Sequence, residues 1–175
     1  MYINLRKFFF IFFLFFICSN SNAENKILFV DLDFIFSNSI AGKKFESSFK
    51  KESKKVNNEL SKKKNNIDQE KDKLIKQKNI LSKEEFEIKK ISIDKEINEF
   101  NKLVTKSNNK LINSRKISRS DFSTQLTKVV QEYAEANSIQ MIIKKQNVLI
   151  GQNKLDATND ILILVDKKIK SLKTE

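Results

Sequence analysis

Apolar residues recur at a strict seven-residue interval through the middle of the chain. Leu60, Ile67, Leu74, Leu81 and Ile88 form one series, Phe86, Ile93 and Phe100 a second, and Ile97, Val104 and Leu111 a third. A period of seven on otherwise polar ground marks helices packed along a narrow seam. No Pro or Gly lies between Lys43 and Ile150, so nothing forces a break. The phase changes around NILSKEEFE, where Ser82 followed three residues later by Glu85 makes a capping box that would start a new helix.

The pattern therefore predicts a hairpin of two long antiparallel helices over 43–119, with its tip near residues 79–83. Facing residues would then have numbers summing to about 164–167, which pairs Leu60 with Val104, Ile67 with Ile97, Leu74 with Ile91, Phe49 with Ile117 and Phe45 with Phe122. A single continuous rod is the competing arrangement, and it leaves these coincidences unexplained.

The ends follow a different pattern. KILFVDL, from Lys26 to Leu32, has strand length and β-prone residues, and Asp33 is placed to cap a short helix through FIFSNSIAG that relaxes at Gly42. SIQMIIKKQNVLIG predicts strands at 139–144 and 148–150 joined by a polar turn at KQN. After Asp156 and Thr158, both candidate N-caps, Ile161, Val165, Ile169 and Leu172 repeat at helical spacing, with Lys167, Lys168 and Lys170 favourably placed near the C-terminal end. The fold class is thus α+β but mostly α: a coiled-coil arm on a small β-body built from residues 24–42 and 120–175.

The seam is too thin to make the arm rigid. A 39-residue arm extends roughly 60 Å. Burying one Leu or Ile stabilises by about 1.5–3 kcal/mol, whereas ordering seven residues of backbone costs about 7–14 kcal/mol before hydrogen bonding and packing are credited. Wider apolar faces near Phe45, Phe49, Phe122, Leu126, Val129, Val130 and Tyr133 anchor the base. The body segments total only 75 residues, and short strands leave edges open to pairing. Completion by oligomerisation is expected, with Ile27, Phe29, Ile142 and Val148 supplying much of the body core.

The first residues change the picture of where the chain works. Arg6 and Lys7 precede an apolar run from Phe8 to Ile17, followed by polar residues leading to Ser21, Asn22 and Ala23. That is a signal peptide over 1–23, with cleavage between Ala23 and Glu24. An uncleaved anchor is the alternative, and a lipoprotein site at Cys18 is disfavoured by Phe16 and Ile17 before it. Cleavage would leave a chain with no Cys, soluble outside the cytoplasm and most simply in a bacterial periplasm.

Charge is concentrated in the arm. Residues 24–42 carry a net −2, 43–81 carry +7, 82–119 carry +4 and 120–175 carry +1. From Asn101 to Arg119 there are six basic residues, Lys102, Lys106, Lys110, Arg115, Lys116 and Arg119, and no acid. The plain reading is a solvated face in a Lys- and Asn-rich composition; the functional one is a basic patch.

Familiar catalytic chemistry has no residues to work with. The chain contains no His, and beyond residue 23 no Cys, which excludes His acid–base catalysis, thiol nucleophiles and ordinary zinc sites. Gly42 and Gly151 are the only glycines, so there is neither a phosphate-cradling loop nor a dinucleotide fingerprint. Asp31 with Asp33 and Glu84 with Glu85 read as caps and solvated faces. No enzyme, cofactor or metal is expected.

Three stretches, taken in order, carry a resemblance. ILFVDLDFIFSNSIAGKKFESSF at 27–49, LSKEEFE at 81–87 and SIQMIIKKQNVLIGQNKLDATNDIL at 138–162 resemble the Skp/OmpH family of periplasmic chaperones. LDAT stands where the family often has an Asp-Ile-Thr run, so Ala157 departs from the pattern. The resemblance implies a homotrimer whose strands form a small β-body, from which three hairpins hang around a cavity that holds unfolded outer-membrane proteins without ATP. An acidic client would be drawn by Lys102, Lys106 and Lys110 and retained by weak contacts to Phe86, Ile93 and Phe100. Two other classes compete: a structural coiled-coil spacer of the envelope, and a basic protein binding anionic lipid or nucleic acid. Export argues against a native nucleic-acid partner; an anionic lipid surface remains open as a secondary one.

Overall fold

A computed structural model describes residues 26–174. The expected signal peptide and its Ala23–Glu24 cleavage site lie outside the described residues. In chain order the elements are β1 (Ile27–Val30), α1 (Leu32–Asn38), α2 (Ile40–Lys76), α3 (Lys83–Ala136), β2 (Met141–Lys144), two single-turn 3₁₀ segments (Lys145–Asn147 and Asn153–Leu155) and α4 (Thr158–Lys168).

Helices α2 and α3 form the hairpin. At 37 and 54 residues they extend about 55 and 80 Å. Both run unbroken across the expected boundaries at 42 and 120, α2 with Gly42 inside its first turn and α3 with no Gly or Pro at all. The turn occupies 77–82. Ser82 starts α3 with a reciprocal capping box: its Oγ accepts from Glu85 N–H at 3.2 Å, and Glu85 Oε2 accepts from Ser82 N–H at 3.0 Å. The Ser82 N–H, followed by its hydroxyl, holds the Glu85 carboxyl below its usual value.

The seam contains two clusters. Near the tip Ile67, Leu74 and Ile93 are buried, with Leu81, Phe86, Ile97 and Phe100 packed around them. At the root Phe45, Phe122, Leu126 and Val129 join Val30, Ile35, Phe36, Ile161, Val165 and Ile169 in the main core. Between the clusters only half-buried residues face the seam, serines 53, 107 and 114 among them.

Two expected pairings fail. Ile91 is 65% exposed, and Leu74 shares its cluster with Ile93 instead. Two residues along a helix are about 200° apart around its axis, so only one of Ile91 and Ile93 can face the seam. Ile88 is exposed for the same reason, since the cap at Ser82 resets the phase. Ile117 also points outward, and Phe49 is covered by the Arg115 guanidinium, 4.2 Å above its ring.

In the body β1 pairs with β2 in parallel, Leu28 opposite Ile142 and Phe29 opposite Ile143. Alternation sends Leu28, Val30 and Ile142 toward the helices. Ile27 and Phe29 face the other way, so Ile142 does not share a core layer with them. Phe29 is buried beneath the loop that carries Gly151, where an added Cβ would lie 2.6 Å from the ring. The expected strand at 148–150 does not form. Its place beside β1 is taken by Asp156 and Ala157: Ala157 N–H donates to Phe29 C=O at 3.0 Å. The residue that departs from the family pattern is thus buried and bonded to β1.

Three capping expectations need correction. Asp31, not Asp33, caps α1, because Asp31 alone is extended and its Oδ1 accepts from Phe34 N–H at 2.9 Å. The break after α1 falls at Ser39 rather than Gly42; Gly42 lies buried inside the first turn of α2. Helix α4 ends at Lys168; Ile169 is extended, and residues 169–174 continue without regular structure. Lys170 lies beyond the helix and reaches back to donate to Asp166 C=O at 2.9 Å.

Candidate functional site

The arm is where polar and apolar surface of one kind accumulates. Of the six basic residues between 101 and 119, the two arginines belong to the root. Arg115 covers Phe49 and lies 3.5 Å from Glu46; Arg119 sits 4.8 Å from the Phe36 ring centre and 3.5 Å from Asp33. Lys102, Lys106 and Lys110 are one helical turn apart, exposed, and line one side of a groove of about 790 Å³ that also contains Thr105 and Ile117. Regular turns of α3 aim the three ammonium groups along one stripe.

Phe86, Ile93 and Phe100 are placed differently from the lysines. Ile93 is buried in the tip cluster, and Phe86 and Phe100 are half-buried against it. They hold the two helices together, and a ligand reaches them fully only where the tip opens. The apolar surface presented to solvent near the tip comes from Ile75, Ile80, Ile88 and Ile91, each more than 60% exposed. Sequence periodicity misses this group because a period carried across the tip assigns Ile88 and Ile91 to the seam. Their signal was present nonetheless, as isoleucines left off the seam once α3 is counted from its cap at Ser82.

A second groove, of about 490 Å³, opens between the helices near the root. Phe45, Phe49, Val56 and Leu111 form its apolar wall, and Ser107 and Ser114 its polar one. Among the described residues no group of three or more His, Cys, Asp or Glu side chains is arranged to hold a metal, and no helix is long and apolar enough to cross a membrane.

The body carries a polar junction of its own. Asp156 Oδ2 accepts from Lys145 Nζ at 2.7 Å, and its Oδ1 accepts from the N–H and hydroxyl of Thr158 at 3.0 and 2.5 Å. The Thr158 hydroxyl in turn accepts from Asp31 N–H at 2.9 Å, tying the start of α4 to the end of β1. Burial alone would raise the Asp156 carboxyl, but the bonds from Lys145 and Thr158 outweigh it and hold it below the usual range. The same bond to Asp156 raises Lys145 above its ordinary value. Every group in this junction is satisfied by another, as befits a structural joint.

Body and arm together match one family. The family described as outer membrane protein (OmpH-like) covers residues 26–164, from β1 through the arm into α4. The chain belongs to the OmpH-like family. A protein of Caulobacter crescentus CB15 described as an OmpH-like outer membrane chaperone, known from its crystal structure, has the same fold as this OmpH-like chain: the TM-score is 0.79 over 89% of this chain and 92% of that one. The two are 17% identical, so that likeness is one of fold. No curated protein matches the chain.

Of the residues expected to form the OmpH-like body core, Phe29 is buried and Ile142 and Val148 are half-buried, whereas Ile27 is 43% exposed. Its partner in β2, Met141, is exposed as well, and in the loop that follows Leu149 and Ile150 are 97% and 90% exposed.

Proposed function

We propose that this protein is an ATP-independent periplasmic holdase that keeps unfolded outer-membrane proteins from aggregating, held between flexible basic arms. The observation that carries the reading is the arm itself: exposed isoleucines at its tip on a helix pair whose lysine stripe lies alongside, joined by a seam thin enough to bend. Membership of the OmpH-like family over body and arm supports it. Such a surface offers many weak contacts and no fixed pocket, which suits clients that share alternation of apolar and polar residues rather than a sequence.

The holdase assembles as a homotrimer on this reading. Support comes from the body, where Ile27, Met141, Leu149 and Ile150 are exposed on one chain. The outer edge of β2 also has no strand beside it among the described residues. Open edges and apolar surface of this kind are covered by association. A secondary contact with anionic lipid fits the same lysine stripe.

Charge and apolar surface act at different stages. Electrostatic attraction works mainly on encounter and is screened over about 8 Å at physiological salt, whereas apolar retention is not weakened that way. Stopped-flow capture of a labelled, acidic, unfolded barrel protein tests this. Raising salt slows capture more than it hastens release, and reversing Lys102, Lys106 and Lys110 to Glu mimics high salt without dissociating the oligomer. Capture indifferent to both would leave the stripe a solvated face.

A further inference from the structure

We propose that residues 171–174 occupy a binding site for extended polypeptide at the arm's root, where they act as a built-in competitor of the client. The proposal rests on the holdase reading. After Lys168 the backbone leaves α4 through an extended Ile169 and runs along α3 toward the arm, meeting Gln125 first, then Asp121 and Ser118.

The polar contacts that α3 makes with this tail go to its main chain. Gln125 Nε2 donates to Ser171 C=O at 3.5 Å, Asp121 Oδ2 accepts from Lys173 N–H at 3.0 Å, and Ser118 Oγ donates to Lys173 C=O at 2.5 Å. Gln125 Nε2 also donates to Asp121 Oδ2 at 2.8 Å, which holds the carboxylate in place. Ser118 has no exposed surface, so lifting the tail would uncover its hydroxyl and take the Lys173 donor from the Asp121 carboxylate, which keeps only Gln125. Between exposed Ser171 and Lys173, Leu172 packs against the root core.

This helix face therefore reads a backbone with one inward apolar side chain and asks little else of sequence. A segment of an unfolded barrel protein, alternating apolar and polar residues, presents the same features. Position supports the idea as well. Thr174 borders both the groove between the helices and the groove beside the lysine stripe, so this segment reaches the place where the two meet. A client lying in either groove meets Thr174 first, and displacing residues 171–174 would extend the trough up to Gln125.

The test uses a fluorescent blocked peptide alternating Val with Ser and Glu, with binding read by anisotropy. The intact protein is compared with a form ending at Lys170, and with a Cys18→Ser chain carrying Ile117→Cys and Thr174→Cys, oxidised and reduced. Removing the tail tightens peptide binding about tenfold, the effect of one or two released hydrogen-bonding groups, and adding Ser118→Ala and Asp121→Ala cancels the gain. Oxidation, which ties the tail down, weakens binding relative to the reduced form; this pair decides the matter if the shortened chain loses its fold by circular dichroism. Equal binding by free-tailed and tied-down forms overturns the proposal. Suppression of client aggregation by the intact protein is followed in parallel. If it is present while the tail has no effect, only the competitor idea falls; if it is absent, the holdase reading falls with it.

Discussion

The carboxylate of Asp166 in α4 accepts a hydrogen bond from the Ile40 N–H at 2.8 Å, capping a helix that begins 126 residues earlier in the chain. Ser39 Oγ accepts from Gly42 N–H at 3.1 Å on the same first turn. The start of the long arm helix is thus fixed by the last helix of the body, and arm direction is coupled to body folding. Replacing Asp166 by Ala removes one of these caps. The expected loss is about 1 kcal/mol, smaller for Asp166→Asn, which keeps an acceptor oxygen. Urea unfolding followed by circular dichroism measures it.

The two glycines of the chain differ in what surrounds them. A Cβ on Gly42 would lie 1.7 Å from the backbone oxygen of Phe36, where α1 passes close beneath α2. Backbone cannot step aside as a side chain can. Gly42→Ala is expected to cost about 3 kcal/mol or more, at or beyond the upper end of ordinary overpacking. At Gly151 the obstacle is the Phe29 ring, which can turn, so Gly151→Ala costs less. Thermal melts of the two variants rank them, and a milder Gly42 variant would contradict the close helix crossing.

Ile67 and Ile91 separate the seam from the exposed tip surface. Ile67 is buried in the tip cluster, and Ile67→Ala is expected to cost about 2 kcal/mol locally, the low end for such truncations because the arm can collapse around the gap. Ile91→Ala stays within about 0.5 kcal/mol, since the side chain is already in water. Amide hydrogen exchange along residues 60–100 reads both: Ile67→Ala speeds exchange near the tip, Ile91→Ala leaves it unchanged.

Much of this architecture was legible in the chain, and the failures have physical causes. The heptad series and the Ser82–Glu85 box were local signals and led to the hairpin and its capped second helix. Ile88 and Ile91 were misplaced because a period carried across a turn loses its phase. Val148 to Ile150 has strand composition but no strand beside it, since Ala157 already bonds to β1; pairing is a tertiary fact that composition does not contain. Ile169 and Leu172 kept helical spacing yet lie on a tail whose bonds come from Ser118, Asp121 and Gln125, about 50 residues away. Of the candidate site, the lysine stripe was visible from charge alone, whereas the exposed isoleucines required knowing which face the seam uses.

The Asp156 junction makes the body acid-sensitive. Its folded carboxyl titrates below the ordinary value of 3.8, so its contribution to stability is complete above that value and is lost as pH falls through the lowered one. Lys145 is raised above 10.5, so its share is present below that value and lost as pH rises through the raised one. Asp156→Asn should therefore melt at a lower temperature than the unchanged protein near neutral pH. The gap closes as the pH falls through the lowered value of Asp156, where both side chains become neutral. A gap that persists into acid would assign the residue a role in shape rather than charge.

Client holding by the arms is tested most directly by light scattering. An unfolded outer-membrane barrel protein is diluted from urea into nucleotide-free buffer, alone, with the intact protein, and with a variant carrying Ser at Ile75, Ile80, Ile88 and Ile91. The intact protein is expected to suppress scattering near stoichiometric ratios, and the variant, folded and equally oligomeric, to suppress it much less. Scattering unchanged by the intact protein, or suppressed equally by both forms, would contradict it.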